Sequence, residues 1–316
     1  MERRNFISSC AASATAIALA ESSALKNTSQ PTQRWQYGTT RWPICLDTST
    51  LSKDIGLAEK VELAAKAGFD AIEPWDYELK NHLADGASLV DLGKRIRDLG
   101  MFVPSVIGLW GALAPTKEIF NSEIDQHKEC LDRIAAIGSE HVQVIPKFNR
   151  QDALDHRTAS WAYAQICAMA KQYNLKPAVI FLNFVKGLER LSDAARIAMD
   201  SGVDGGKIIP DTYHMFLSGS PVSSLNMLNG NAIAIFQFAD AGHNVQPSNA
   251  RGLDGRRVLP GDGKLPLTDY LNALKLIGYK GCISLELYNK EYRKRAPAPF
   301  LEEALRKTVA VVASVH

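Results

Sequence analysis

The chain has 316 residues, of which 46% are hydrophobic, and 36 Lys and Arg nearly balance 34 Asp and Glu to give a net charge of +2. A chain of this length buries one large core or two modest ones. The balanced charge gives no electrostatic footprint for nucleic acid or an anionic membrane surface, so neither is expected as a partner. The five cysteines have no Cys-x-x-Cys spacing, so neither a zinc knuckle nor a disulfide framework is indicated.

Residues 1–20 have the order of regions found in an export signal. Arg3 and Arg4 precede an aromatic and an aliphatic residue, and an alanine-rich run then ends at Ala20. That run is too short and too weakly apolar to be a stable membrane anchor. The adjacent arginines predict a twin-arginine-type signal and a periplasmic protein, with a frayed N-terminal helix as the alternative. We expect residues 21–40 to be a disordered polar linker and residues 41–316 to be one folded domain.

Strand patterns alternate with helix patterns along the rest of the chain. Eight short apolar runs predict strands at 42–46, 70–75, 102–109, 142–145, 177–182, 207–211, 232–238 and 282–287. Eight alternating units in a chain of this size predict an α/β fold, a single-domain (β/α)8 TIM barrel rather than an open doubly wound sheet. Neither a Gly-x-Gly-x-x-Gly motif after the first strand nor a phosphate-binding P-loop occurs, so a nucleotide cofactor is not expected.

Polar side chains stand near the C-terminal ends of several predicted strands, where TIM barrels carry their chemistry. They are Glu73, Asp211, His214, Gln237, Asp240 and Glu286. Carboxylate and amide oxygens suit Mg²⁺ or Mn²⁺, and a histidine nitrogen admits Mn²⁺, Co²⁺ or Zn²⁺, so a divalent cation is one expected partner. Structural alternatives remain open: Asp211 as a helix cap, Glu286 paired with an arginine, and Glu73 as a polar strand end before a rigid proline.

A second candidate lies between the seventh predicted strand and its helix. Arg256 and Arg257 precede the tight turn Pro260-Gly261-Asp262-Gly263. Two guanidinium groups beside such a turn are able to hold a substrate oxyanion or hydroxyl groups. A solvated loop explains the composition equally well.

With these residues in view, the chain resembles the xylose isomerase-like TIM barrels, the sugar phosphate isomerase/epimerase superfamily. The resemblance covers about residues 44–312 and is carried by segments 65–75, 211–214, 260–263 and 277–286. It implies a carbohydrate substrate and a divalent metal, Mn, Mg, Co or Zn. In such enzymes the metal helps a carboxylate remove a proton next to a carbonyl group, which gives an enediolate.

The resemblance also implies residue roles, carried over by position. Asp211, Gln237 and Glu286 match metal ligands on the sixth, seventh and eighth strands, and Glu286 also matches the base. His214 matches a histidine that orients the substrate or shuttles the proton, while Glu73, Trp75, Asp240 and Arg257 are expected in the substrate pocket. The fifth strand departs from the pattern, because Ile180 stands where relatives carry a Glu. Isoleucine neither binds a metal nor moves a proton.

Three functions remain open at this stage. The first is a sugar isomerase or epimerase that acts through the enediolate. The second is a lyase that eliminates from a keto-sugar or keto-glycoside, for which one base is sufficient. The third is a non-catalytic sugar-binding barrel that has lost the fifth-strand Glu. The sequence leaves the sugar, its phosphorylation and the oligomeric state open, a homo-oligomer included.

Overall fold

The computed structural model describes residues 39–147 and 152–315 of the chain. Within them, eight strands form the central sheet, and each overlaps a predicted strand, although most are shorter than predicted. They are β1 (Ile44–Asp47), β2 (Ala71–Glu73), β3 (Ser105–Val106), β4 (His141–Pro146), β5 (Lys176–Ile180), β6 (Lys207–Ile209), β7 (Phe236–Phe238) and β8 (Ile283–Leu285). The strands are mostly apolar, as expected for strands that are buried on both faces, and the exposed Lys176 begins β5.

All pairings between these eight strands are parallel. Strands β2, β1, β8 and β7 pair in that order, and so do β3, β4, β5 and β6. Parallel bridges from Ala71 to Phe102 and from Ile208 to Ile233 connect the two groups on both sides. The circle is therefore closed, which confirms the predicted (β/α)8 TIM barrel.

Helices surround the barrel and follow most strands. They are α1 (Leu57–Ala67), α2 (Asp76–Ala84), α3 (Leu89–Asp98), α4 (Lys117–Ser122), α5 (Ile124–Ala136), α6 (His156–Ala170), α7 (Leu191–Asp200), α8 (Thr212–Ser218), α9 (Leu267–Leu276), α10 (Lys290–Arg293) and α11 (Pro297–Val312). The α1 helix ends where predicted, at Gly68, whose φ of 98° is left-handed and favours glycine. In the described part of the chain, no helix is long and apolar enough to cross a membrane.

The segment between β7 and α9 contains a short antiparallel hairpin on the C-terminal side of the barrel. Its two strands are Asp240–Ala241 and Arg257–Val258, with Arg257 opposite Ala241 and Val258 opposite Asp240. One further short strand, Trp110–Leu113, pairs with β4. The predicted export signal and nearly all of the predicted linker lie outside the described residues, so both stay predictions.

Candidate active site

A cavity of about 250 Å³ opens at the C-terminal ends of the strands. Its polar lining comes from strand ends and the segment after β7, namely Gln143, His214, Gln237, Arg251, Asp254, Arg257 and Glu286. Its apolar lining consists of Trp75, Ile107, Trp110, Ile145, Ile180, Leu182, Phe184 and Tyr288. A small concave site of mostly apolar walls with a few convergent polar groups is typical of a ligand-binding site.

The guanidinium group of Arg257 is the electrostatic centre of this cavity. Its Nη1 lies 2.8 Å from Asp211 Oδ2 and 3.5 Å from Glu286 Oε2, and its Nη2 lies 3.3 Å from Asp254 Oδ1. Burial would lower the pKa of Arg257, but the three carboxylates outweigh it and raise that pKa above its ordinary value. Arg257 is therefore a permanent cation in the floor of the site.

Asp211 and Glu286 respond differently to this cation. Burial would raise the pKa of Asp211, but Arg257 and His214 outweigh it and the pKa lies below its ordinary value. For Glu286 burial dominates and holds the pKa well above its ordinary value, although Arg257 opposes the shift. Asp211 is thus the ionised partner of Arg257, whereas Glu286 is a carboxyl group with raised proton affinity that faces the cavity.

Asp211 has a second role that limits what else it is able to bind. It is the N-cap of α8, and its Oδ1 accepts hydrogen bonds from the backbone N–H groups of Tyr213 and His214, at 2.6 and 3.0 Å. The helix-cap alternative is therefore realised together with the ion pair. Asp211 does not itself line the cavity, whereas its partner Arg257 does.

Asp240 does not line the cavity and shapes the loop that carries Arg257. Its Oδ2 accepts from the backbone N–H groups of Gly261 and Gly263, at 3.1 and 3.0 Å, and its Oδ1 accepts from that of Leu265 at 2.9 Å. Glycine is required at 263, since a Cβ there would lie 2.3 Å from an Asp240 carboxylate oxygen. The carboxylate of Asp240 is thus bonded to backbone N–H groups outside the cavity lining, and its expected role in substrate binding stays a prediction.

Glu73 also lies outside the cavity lining and is fully buried below it. Its carboxyl oxygens accept hydrogen bonds from Gln143 Nε2 and Ser284 Oγ, both at 2.7 Å. Burial, with a contribution from the charge of Asp47, raises the pKa of Glu73 to about 8. Glu73 therefore supports Gln143, whose own Oε1 is buried without a hydrogen-bond partner among the described residues, and a contact of Glu73 with substrate stays a prediction.

His214 is held in one tautomer by a residue that the sequence reading missed. Asn183 Nδ2 donates to the carbonyl oxygens of Ser248 and Ala250, which turns Asn183 Oδ1 towards His214 Nδ1 at 2.8 Å. The proton therefore sits on Nδ1, and the Nε2 lone pair remains available, 3.6 Å from Asp254 Oδ1. Burial lowers the pKa of His214, which keeps the ring neutral.

Two features of the cavity suit a ligand that carries polar groups on a ring: an amide without partners and a group of aromatic side chains. Gln237 has neither side-chain polar atom hydrogen-bonded within the described chain, although both are buried at the cavity. At the cavity mouth Trp75 stacks on Trp110, with ring centroids 5.7 Å apart, and meets Tyr288 at 6.1 Å. Tyr288 has a φ of 45°, a strained conformation for a non-glycine residue, and such strain concentrates at functional sites.

The donor set does not fit a tightly held divalent cation. Ile180 is an apolar wall residue where a carboxylate would be needed, and Asp211 already accepts three hydrogen bonds. Within residues 39–147 and 152–315, no group of three or more His, Cys, Asp and Glu side chains converges as a metal site. Of the three predicted metal ligands, Gln237 and Glu286 line the cavity and Asp211 lies behind Arg257.

Comparisons with known proteins agree on the fold. The family model of the xylose isomerase-like TIM barrel matches residues 61–310. Inosose isomerase of Bacillus velezensis is 25% identical over 275 residues, covering 85% of this chain and 96% of that protein. A 3-dehydroshikimate dehydratase of Pseudomonas putida is 22% identical over 250 residues, covering 78% of this chain and 38% of that protein. The solved structure of the IolI protein with a zinc atom superimposes with a TM-score of 0.78 at 23% identity, covering 87% of this chain and 99% of that one.

Proposed function

The chain belongs to the xylose isomerase-like TIM barrel family, and from that premise we propose that it is an isomerase or epimerase that removes a proton next to the carbonyl group of a keto-sugar or keto-cyclitol. The observation that carries the proposal is the pair formed by Glu286 and Arg257, 3.5 Å apart in the cavity floor. One is a carboxyl group with raised pKa and the other a fixed cation. Proton abstraction next to a carbonyl needs a base and a positive group for the developing oxyanion.

Each residue of the floor has a role in this reaction. Glu286 in its ionised form takes the proton from carbon, and its raised pKa makes that carboxylate a stronger base. Arg257 Nη1 donates to the carbonyl oxygen, which becomes the enolate oxygen. His214 Nε2 accepts or returns a hydroxyl proton, since Asn183 fixes the Nδ1–H tautomer. The amide of Gln237 is free to bind a neighbouring hydroxyl group.

The cavity mouth indicates a ring-shaped substrate. A volume of about 250 Å³ is at the small end for ligand pockets and suits a single sugar or cyclitol ring. The face of such a ring packs on Trp75 and Trp110, while its hydroxyl groups reach the amides below. The relative named inosose isomerase acts, by its name, on a keto-cyclitol of this size.

A lyase is the second candidate, and Ile180 favours it. A base on one face is sufficient to remove a proton and expel a β-substituent, whereas an epimerase must return a proton from the other face. Ile180 lines the cavity without any proton to give, so that return would require His214 Nε2 first to accept a hydroxyl proton and then to pass it to carbon. The relative named 3-dehydroshikimate dehydratase removes water, by its name, from a cyclic ketone.

Hydrogen exchange tests the reaction before any product has been identified. The protein is incubated in D₂O with inososes, ketohexoses, ketopentoses and 3-keto-glycosides, and mass spectrometry follows each compound. Deuterium incorporation with the heavy-atom mass conserved indicates isomerisation or epimerisation, whereas loss of water or a fragment indicates elimination. Binding of these compounds without exchange or turnover would overturn the proposal in favour of a sugar-binding barrel.

We also propose export of the protein, on the basis of Arg3 and Arg4 in residues 1–20. An exported enzyme would meet unphosphorylated sugars, because sugar phosphates are mainly cytosolic. Fusion of residues 1–40 to a folded fluorescent reporter tests this. Periplasmic fluorescence that is lost on replacing both arginines with lysines is the expected result, and cytosolic fluorescence of the unaltered fusion contradicts it.

A further inference from the structure

The position of Arg257 is fixed from several sides, so its charge is part of the folded site. Its backbone pairs with Ala241 in the hairpin, and its carbonyl oxygen accepts from Asn289 Nδ2 at 2.8 Å. Its guanidinium carbon lies 4.8 Å from the centre of the Tyr213 ring. The side chain is 1% exposed, and its Nη1 faces Asp211 and Glu286 together. Arg257 Nη1 thus contacts both of the carboxyl groups that were predicted as metal ligands.

The carboxyl groups around this point are already in contact with Arg257. A divalent cation is usually held by several carboxylates that it coordinates directly, but here the guanidinium group of Arg257 already binds Asp211 and Asp254 and lies 3.5 Å from Glu286. The end of the fifth strand carries no charge: Ile180 lines the cavity there and is 5% exposed. A metal ion held by Asp211 and Glu286 would also lie beside the guanidinium group and be repelled by it.

We propose that the guanidinium group of Arg257 takes the place of a divalent metal in this site, so that the protein binds substrate oxygen through a built-in cation and holds no metal of its own. Arg257 and Ile180 act together: the first supplies the charge, and the second removes the carboxylate that a metal would need. Because the inference rests on the resting geometry alone, its test requires no substrate and is independent of the proposed reaction.

The wild-type protein is the first sample. It is equilibrated with Mn²⁺, Co²⁺ and Zn²⁺, freed of excess ions and analysed for metal content, and Mg²⁺ and Mn²⁺ binding is measured by calorimetry. No stoichiometric ion and no binding heat are expected. About one ion per chain that is lost in Glu286→Gln would overturn the proposal.

A double variant tests the reason for the absence of an ion. Ile180→Glu with Arg257→Met restores a carboxylate and removes the cation, so this variant is expected to bind about one Mn²⁺ or Zn²⁺ per chain. Its melting temperature should then rise by about 5 °C or more on addition of the ion, because the ion binds only the folded state. Addition of Asp211→Asn to the same background is the matched control and should abolish the rise. A double variant that folds but binds no ion contradicts the assignment to Arg257 and Ile180; should it not fold, the wild-type calorimetry decides alone.

Discussion

Two pairs of buried carboxyl groups at the C-terminal side of this barrel differ in their partners: among the described residues, Arg257 contacts one pair, and no cation is bonded to the other. Asp47 and Glu73 are opposite each other in β1 and β2, and their hydrogen-bond donors are neutral groups from Ser49, Trp75 and the Glu73 partners described above. Asp211 and Glu286 share Arg257. Burial raises the pKa of Asp47 to about 6 and that of Glu73 to about 8, whereas the pKa of Asp211 is lowered.

The difference shows what the guanidinium group contributes. All four carboxyl groups are fully or almost fully buried, so burial alone favours their neutral forms. Neutral donors bond to Asp47 Oδ1 and to both carboxyl oxygens of Glu73 without keeping both groups ionised, and Asp47 Oδ2 has no hydrogen-bond partner among the described residues. Arg257 keeps Asp211 ionised and lies within reach of Glu286, and this places charge where a reacting carbonyl oxygen would lie. The first pair is a structural support, and the second is suited to chemistry.

Removal of the cation should have the largest effect. Arg257→Met leaves Asp211 buried without a counter-charge, and we expect a loss of about 3–5 kcal/mol in the free energy of unfolding at pH 7. Stability should partly return at lower pH, because the uncompensated Asp211 then has a folded-state pKa above its unfolded value and gains a proton on folding. Urea unfolding at several pH values measures both effects.

The matched control is the neighbouring exposed arginine. Arg256→Met removes the same charge one residue away and should change the free energy of unfolding by no more than about 0.5 kcal/mol. Equal, small losses in the two variants would show that Arg257 is not the group that keeps Asp211 ionised.

The second prediction concerns Glu286 and the proposed reaction. Glu286→Gln keeps the shape of the side chain but removes the base, so the rate of deuterium incorporation should fall by about 10²–10⁴. Mass spectrometry of the D₂O reaction measures the rate. Glu291→Gln, at an exposed position on α10, is the control and should retain the wild-type rate. An unchanged rate in Glu286→Gln would remove Glu286 from the base role.

The third prediction concerns the pH dependence of stability that Glu73, the partner of Asp47, should produce. The pKa of Glu73 rises from an ordinary 4.5 to about 8 on folding, so the native state binds more protons between these values. Stability should therefore fall as pH rises through that window, by up to about 1.4 kcal/mol per pH unit. Glu73→Gln mimics the protonated form and should flatten the slope above pH 6, where Asp47 contributes less. Chemical unfolding between pH 5 and pH 8.5 measures the slopes, and identical slopes in the two proteins would contradict the assignment.

Much of this site follows from the sequence because strand order fixes which ends meet. His214, Gln237 and Glu286 are expected at the C-terminal ends of the last three strands, and they line one cavity. The depth of each side chain was not predictable. Glu73 and Trp75 are two residues apart and so point to the same face, but Trp75 lies at the mouth and Glu73 one layer deeper.

Long-range partners account for what the sequence reading missed. The carboxylate of Asp240 accepts hydrogen bonds from backbone N–H groups about 20 residues later in the chain, and nothing in the sequence around Asp240 indicates these donors. Asn183 acts on His214 through carbonyl groups of residues 248 and 250. Its position just after β5 was the available signal, since a polar residue there belongs to the catalytic face of a barrel. The ion pair of Arg257 with Asp211 depends on the hairpin register, which composition does not reveal.

The smallest expected effect isolates the charge within the first pair. Asp47→Asn retains an oxygen that accepts from Ser49 N and Trp75 Nε1, and it removes the negative charge that helps to raise the pKa of Glu73. The pKa of Glu73 should therefore fall by about one pH unit or less, because burial, which raises this pKa more than the charge of Asp47 does, is unchanged. Carbon NMR of the Glu73 carboxyl group in both proteins measures this directly. An unchanged or upward-moved pKa of Glu73 would contradict coupling of the two carboxyl groups through their charges.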